Sequence, residues 1–184
     1  MPTHGHEGLS RYLNGSVSEK VVRLSSVPVL TVRMQPDEQL VFPYENILIP
    51  TDGSSAATYA ADHLVELAAE LDATVHVLSV VDDAALGLDV RSTSSGEESE
   101  QAATDAVETV VSKAKTHGVT NTVRHIEHGT PVEVILDSIE SNDIHAVGMG
   151  TTGKRGTERI LLGSVAEKTV RSAPDPVMTV AEPE

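Results

Sequence analysis

Residues Gly148–Arg155 read GMGTTGKR, a run of glycines that ends in two cations. Such a run can cradle phosphate, because glycine removes the side chain where backbone must approach an anion closely. Two familiar spacings overlap on it. Gly148, Gly150 and Gly153 fit G-x-G-x-x-G, but that dinucleotide fingerprint should follow a first strand and precede an acidic residue by about 20 positions. Here it follows a fourth strand candidate, and no second βαβ half comes after it. Gly148 to Lys154 fits G-x-x-x-x-G-K, yet Arg155 stands where a P-loop needs Ser or Thr for Mg²⁺, and Gly156 interrupts the helix that should begin there. A longer spacing takes in more of the chain: Gly150, two residues, Gly153, nine residues, then Gly163-Ser164. Gly163 and Ser164 would open a helix, whose N-terminal N–H groups and positive dipole end favour an anion. Charge-assisted hydrogen bonds of that kind are worth about 1.5–3 kcal/mol each.

A second cluster is the turn Pro50-Thr51-Asp52-Gly53-Ser54, which places a carboxylate directly after an apolar run. Each of these residues also has a plainer use. Gly153 and Gly156 serve as turn glycines, and Asp52 serves as a helix N-cap or Asx-turn residue. Catalytic constellations are sparse. The chain has no cysteine and no G-x-S-x-G elbow, and its eight histidines (4, 6, 63, 76, 117, 125, 128 and 145) lack metal-ligand helical spacing. His125 and His128 flank a strand end and read as surface residues. Pro2-Thr3-His4 would form a Cu²⁺ chelate if Met1 were removed. Asp82 and Asp83 read either as a solvated acidic loop or as help for a metal carried on a triphosphate.

The elements that must position these groups follow from apolar periodicity. Asn46–Pro50 is a short strand. A helix after it carries Ala60, Leu64, Leu67, Ala68 and Leu71 at helical spacing. Thr74–Val81 is a strand apolar on both faces. Asp82–Glu98 reads as a loop, rich in Ser, Thr and Gly. A helix is expected at Ser99–Thr116, a strand at Thr122–Glu127, and a helix begun by Thr130 and Pro131. Ala146–Met149, Ser164–Ser172 and Val177–Ala181 complete a strand, helix, strand order. Alternation of this kind predicts an α/β fold: a doubly wound, mainly parallel five-stranded sheet with helices on both faces. In such sheets ligands bind beyond the strand carboxyl ends at the switch in strand order. That singles out the turns at residues 51–54 and 150–153.

Together, the Gly150…Gly153…Gly163-Ser164 spacing, the P-x-D-G-S turn and the βα order resemble the universal stress protein family, in its ATP-binding branch. The resemblance covers residues 44–181. It implies a HUP-like, adenine nucleotide α-hydrolase-like fold and a site for ATP or AMP with Mg²⁺. By that resemblance Asp52 contacts the adenosine, and Pro50, Thr51 and Val80 line the base pocket. Met149 and Thr152 complete its edge, Gly150, Gly153, Gly163 and Ser164 take the phosphates, and Val165 and Ala166 extend the phosphate-side wall. Apart from the family pattern, the charges of Lys154 and Arg155 suit contact with outer phosphates. The function expected is that of a nucleotide-responsive stress regulator, with at most weak ATP hydrolysis. The alternatives are a nucleotide-free interaction protein of the same fold, and a slow ATPase or other nucleotide-processing enzyme.

The remaining chain is a partial second copy. Residues 1–33 align without a gap on residues 149–181, and 17 positions are identical. This half-repeat holds the glycine loop, a helix at about Ser16–Arg23 and a strand at Val29–Arg33, with 34–43 as linker and 182–184 as tail. Pro2 replaces the first glycine and no strand-one Asp precedes it, so it makes no second site alone. Either a remnant of a tandem protein or a mis-set gene start would explain it. The resemblance implies homodimers formed through fifth strands (Val177, Met178, Thr179, Val180). Val29, Leu30, Thr31 and Val32 would then mimic the partner strand, within the chain or between chains. The net charge of −15 is divided as +2 on residues 1–33 and −17 on the rest, which argues against nucleic acid as a partner. Only five lysines face 28 acidic residues, a balance that suits concentrated salt and a halophilic source. No apolar run is long enough to span a membrane, so a cytoplasmic location is expected.

Overall fold

A computed structural model of the chain describes residues 17–32, 42–82, 93–152 and 162–183. The elements run α1 (Val17–Leu24), β1 (Val29–Thr31), β2 (Asn46–Pro50), α2 (Ser55–Glu70), β3 (Thr74–Val81), α3 (Thr93–Thr116), β4 (Thr122–His128), α4 (Pro131–Ser141), β5 (Ala146–Gly150), α5 (Ser164–Ser172) and β6 (Val177–Val180). They build one sheet in the order β1-β6-β5-β2-β3-β4. The five strands from β6 to β4 are parallel, and β1 runs antiparallel to β6. The expected five strands are therefore six. The extra strand comes from the half-repeat, which adds itself to the sheet edge.

The central strands β2, β3 and β5 are buried on both faces because both faces are covered. Ile47, Ile49, Val75 and Val77 point to one side and pack with Ala60, Leu64, Val107 and Val111 of α2 and α3. Leu48, Leu78, Val147 and Met149 point to the other and pack with Ile135, Ile139, Ala166 and Val170 of α4 and α5. The period of two along each strand thus splits one apolar run between two cores. Small residues make up for the scarcity of aromatics. Alanines on α2 let that helix lie close to the sheet, and a Cβ on Gly148 would fall 2.1 Å from a Leu64 methyl. Burying a leucine such as Leu64 contributes about 1.5–3 kcal/mol.

Helix α3 begins at Thr93, six residues before the expected Ser99. Its polar first turns are carried by the apolar stripe Ala103, Val107, Val110, Val111 and Ala114, all buried. Tertiary packing overrides the loop-like composition there. Asp83 and the rest of residues 83–92 lie outside the described residues.

Candidate functional site

Strand β2 lies between β5 and β3, so the chain leaves its carboxyl end in one direction and returns from the other. This is the switch point of the sheet, and a cavity of about 650 Å³ opens over it. Its floor is the ends of β2 and β5: Pro50, Thr51 and Asp52 on one, Met149, Gly150 and Thr152 on the other. Val80 forms one wall, and Gly163, Ser164, Val165 and Ala166 form the opposite one. The structure thus gathers around one space every expected site residue that it describes. Gly153, Lys154 and Arg155 lie outside the described residues.

The β2 turn is held by its own side chains. Thr51 continues the ladder by donating its N–H to the Leu78 carbonyl at 2.8 Å, and its Oγ1 accepts from Gly53 N–H at 3.2 Å. Asp52 Oδ1 accepts from Ser54 N–H at 3.0 Å, the Asx-turn geometry. Gly53 sits at φ 73°, where a side chain is disfavoured. Ser54, not Asp52, caps α2, its hydroxyl accepting from Ala57 N–H at 3.2 Å. The carboxylate of Asp52, relieved of the capping role, lines the cavity in a fixed orientation.

On the opposite wall α5 starts at Gly163, an N-cap with no side chain to accept from the first turn. Its N–H donates to the Thr151 carbonyl at 2.7 Å, which ties the start of α5 to the end of β5. Helix α4 also points its N-terminus at the cavity, through Thr130, Pro131 and Val132, and Thr130 makes no side-chain cap bond. Two helix starts without side-chain caps therefore face one space, each with N–H donors and the positive end of a dipole. Lys168 adds a full positive charge to the lining, and Asp82 a negative one near the end of β3. Among the described residues no three metal-type side chains cluster.

Sequence reasoning missed several of these residues. Ser99, Ala102 and Ala103 reach the cavity from α3, and Thr130, Pro131, Val132 and Ile135 reach it from α4. Helix periodicity marks their inward faces but cannot say which turn reaches the carboxyl end of the sheet. The reason given for Gly150 also needs correction. A Cβ there would lie 2.9 Å from the Ala56 carbonyl oxygen, so the glycine is required by the backbone of α2 whether or not a phosphate approaches.

His125 is another correction, since it is not a simple surface residue. It lies on β4 two positions along from the residue opposite His76, and the two rings share a hydrogen bond of 3.1 Å between His76 Nδ1 and His125 Nε2. The rings are within 10° of parallel, and their 5.4 Å centroid separation leaves them end to end in nearly one plane. Burial lowers the pKa of both; a charge on His125 further disfavours protonation of His76, and Glu127 partly offsets the lowering at His125. His128 is exposed and paired with Glu100 of α3 at 3.2 Å.

Among the described residues no helix is long and apolar enough to cross a membrane. A sequence model of the universal stress protein family matches residues 1–33 and 43–181. A universal stress protein of Methanocaldococcus jannaschii is 38% identical over 143 residues, 76% of this chain and 84% of that one. A solved universal stress protein of Archaeoglobus fulgidus is 25% identical with a TM-score of 0.62, covering 96% of this chain and 57% of its own. A universal stress protein solved in complex with cAMP shares the fold at a TM-score of 0.57 and 20% identity, over 74% of this chain and 96% of its own. With the sheet order, the switch-point cavity and the glycine spacing all in place, this chain belongs to the universal stress protein family.

Proposed function

We propose that the chain binds an adenine nucleotide, ATP or AMP, in the switch-point cavity and acts as a nucleotide-responsive regulator. The observation that carries this reading is the polarity of the cavity. Asp52, held by an Asx turn, and apolar side chains lie at the ends of β2 and β3, and the start of α5, without a side-chain cap, lies with Lys168 beyond β5; the start of α4 also faces the space. A purine nucleoside fits the first half and its phosphates the second. The cAMP held by a family member of the same fold supports the ligand class. Gly163, Ser164, Val165 and Ala166 would take phosphate oxygens on backbone N–H groups, and Ser164 would add its hydroxyl. Mg²⁺ would enter on the phosphates and Asp82 would be its side-chain contact, since among the described residues no cluster would hold it alone.

Several short hydrogen bonds from fixed donors outweigh the diffuse repulsion of a −15 chain, most of all in concentrated salt. The reading is binding rather than turnover. The homodimer that the resemblance implies would use the β6 edge, where this chain already carries β1.

The test is to release small molecules from the purified protein by heat and identify them by mass, then to measure thermal shifts with ATP–Mg²⁺, AMP and cAMP. A released adenine nucleotide, or a shift with one of the three, supports the proposal. An empty protein that none of them shifts would refute it and leave a nucleotide-free interaction protein. Turnover of ATP above about 1 s⁻¹ would make it an enzyme instead.

A further inference from the structure

The histidine pair on β3 and β4 lies away from the switch-point cavity. On β3 His76 shares a face with Leu78, the side covered by α4. On β4 His125 lies opposite Leu78 and so on that same face. The two are diagonal neighbours across the strand pair, and His76 Nδ1 is 3.1 Å from His125 Nε2. His76 is four residues before Val80, so it lies about 13 Å down the strand from that cavity wall.

Spacing, protonation and access all suit the pair to a cation. Two imidazole nitrogens at about 2.05 Å from one cation lie about 2.9 Å apart at a right angle and about 3.4 Å apart at the tetrahedral angle. The observed 3.1 Å falls between the two. Turning the rings out of their end-to-end line brings both lone pairs onto one point beside it. Burial holds both rings below the ordinary histidine value, so at neutral pH each has a lone pair to give and no charge to repel a cation. His76 is only 7% exposed, but Val123, opposite it on the same face, is 37% exposed, and β4 is the last strand of the sheet. The approach is from that open edge, past half-buried His125.

We propose that His76 and His125 form a site for one divalent transition cation of the zinc or copper kind, bound through His76 Nδ1 and His125 Nε2, which ties the edge strand β4 to β3. Imidazole suits Zn²⁺, Cu²⁺ and Ni²⁺, whereas Mg²⁺ and Ca²⁺ prefer oxygen. Among the described residues no third metal-type side chain joins the pair, so water fills the remaining positions. The proton now shared in the hydrogen bond moves to the far nitrogen of its own ring, and none is released from the neutral pair. His76 then carries its proton on Nε2 and His125 on Nδ1. The site is independent of whether the cavity takes a nucleotide.

The test uses the full chain, stripped with EDTA and titrated with ZnCl₂ by calorimetry in excess Mg²⁺, which occupies the acidic surface. One Zn²⁺ per chain is expected, with a rise in Tm that Mg²⁺ alone does not give. H76Q and H125Q should each weaken Zn²⁺ by about tenfold or more, since even an outer-shell partner is worth that much. The double substitution should be little weaker than either, because the two rings act as one site. H128Q, on the opposite face of β4, should bind as the parent does. The chain has eight histidines, so ring nitrogens are also followed by NMR, where His76 Nδ1 and His125 Nε2 should move to metal-bound positions. If H76Q unfolds, H125Q carries the comparison at a half-buried position. Three results would each overturn the proposal: a parent that binds no Zn²⁺, binding that H125Q leaves unchanged, or metal-bound signals confined to other histidines.

Discussion

Replacing Gly150 by alanine tests whether packing or ligand approach demands that glycine. The added Cβ would lie 2.9 Å from the Ala56 carbonyl oxygen, 3.1 Å from its carbon and 3.2 Å from the Ala57 nitrogen. All three are backbone atoms, so no rotamer change relieves the contact. The first turn of α2 is itself fixed by the Ser54 cap on Ala57, and Ala56 and Ala57 are buried. Strand β5 and helix α2 must therefore move apart by several tenths of an ångström. Overpacking of this kind costs about 1–3 kcal/mol. For a chain of this size each kcal/mol lowers Tm by about 2–4 °C, so a fall of about 2–12 °C is expected. Urea unfolding should show a lower midpoint at unchanged slope. Nucleotide affinity should fall with it, because Thr51, Asp52 and Thr152 border the displaced contact. The informative control is Gly163→Ala. Its φ of −60° and ψ of 147° suit any residue, and only the N-cap preference is lost, at a cost under about 1 kcal/mol. A Gly150→Ala protein as stable as the parent but unable to bind nucleotide would refute the packing argument.

Asp52→Asn keeps an acceptor for the Ser54 N–H while removing the charge, so stability should hold within about 0.5 kcal/mol, and calorimetric nucleotide affinity should drop less than in Asp52→Ala. Lys168→Ala should weaken ATP binding severalfold and adenosine binding little; equal losses would remove Lys168 from the phosphate side. The His76 and His125 pKa values lie below the ordinary 6.5, so the folded state binds fewer protons than the unfolded one between its lowered values and 6.5. Their contribution should be fully present above about 6.5 and lost as the pH falls through the lowered values, and urea midpoints at pH 7.5 and 5 should show a slope that shrinks in H76Q/H125Q. Thr169 is fully buried and its Oγ1 has no hydrogen-bond partner, while the half-repeat carries Val21 at the same repeat position. Thr169→Val should raise stability by about 1 kcal/mol in a urea titration.

The parts of the fold legible in the sequence were those in which burial imposes a local rhythm. Thr74–Val81 and Ser164–Ser172 were read with the boundaries they have, because a doubly covered strand and a short amphipathic helix leave little choice. The start of α3 was not legible: Thr93–Glu98 has loop composition, and its helicity depends on the buried stripe that follows. For the site, the turn 50–54 and Gly150 pointed to the floor and Gly163-Ser164 to one wall, since each belongs to a motif of fixed short spacing in the chain. The walls from α3 and α4 were hidden, because which turn of a helix overhangs the switch point depends on the register of the whole sheet. The His76–His125 bond was hidden for the same reason, 49 residues apart in the chain and brought together only by the β3–β4 pairing.

That β1 and β6 belong to one chain changes how closure of the sheet edge scales. Between two molecules, the fraction of closed edges rises and falls with protein concentration, and a cell could tune it by expression level. Within one molecule the strand is present at an effective concentration of order millimolar, set by a short connection and unaffected by dilution. The edge is then closed in every copy, at the first molecule made as at the ten-thousandth. Closing this edge is then part of the folding equilibrium of the single chain, independent of its concentration.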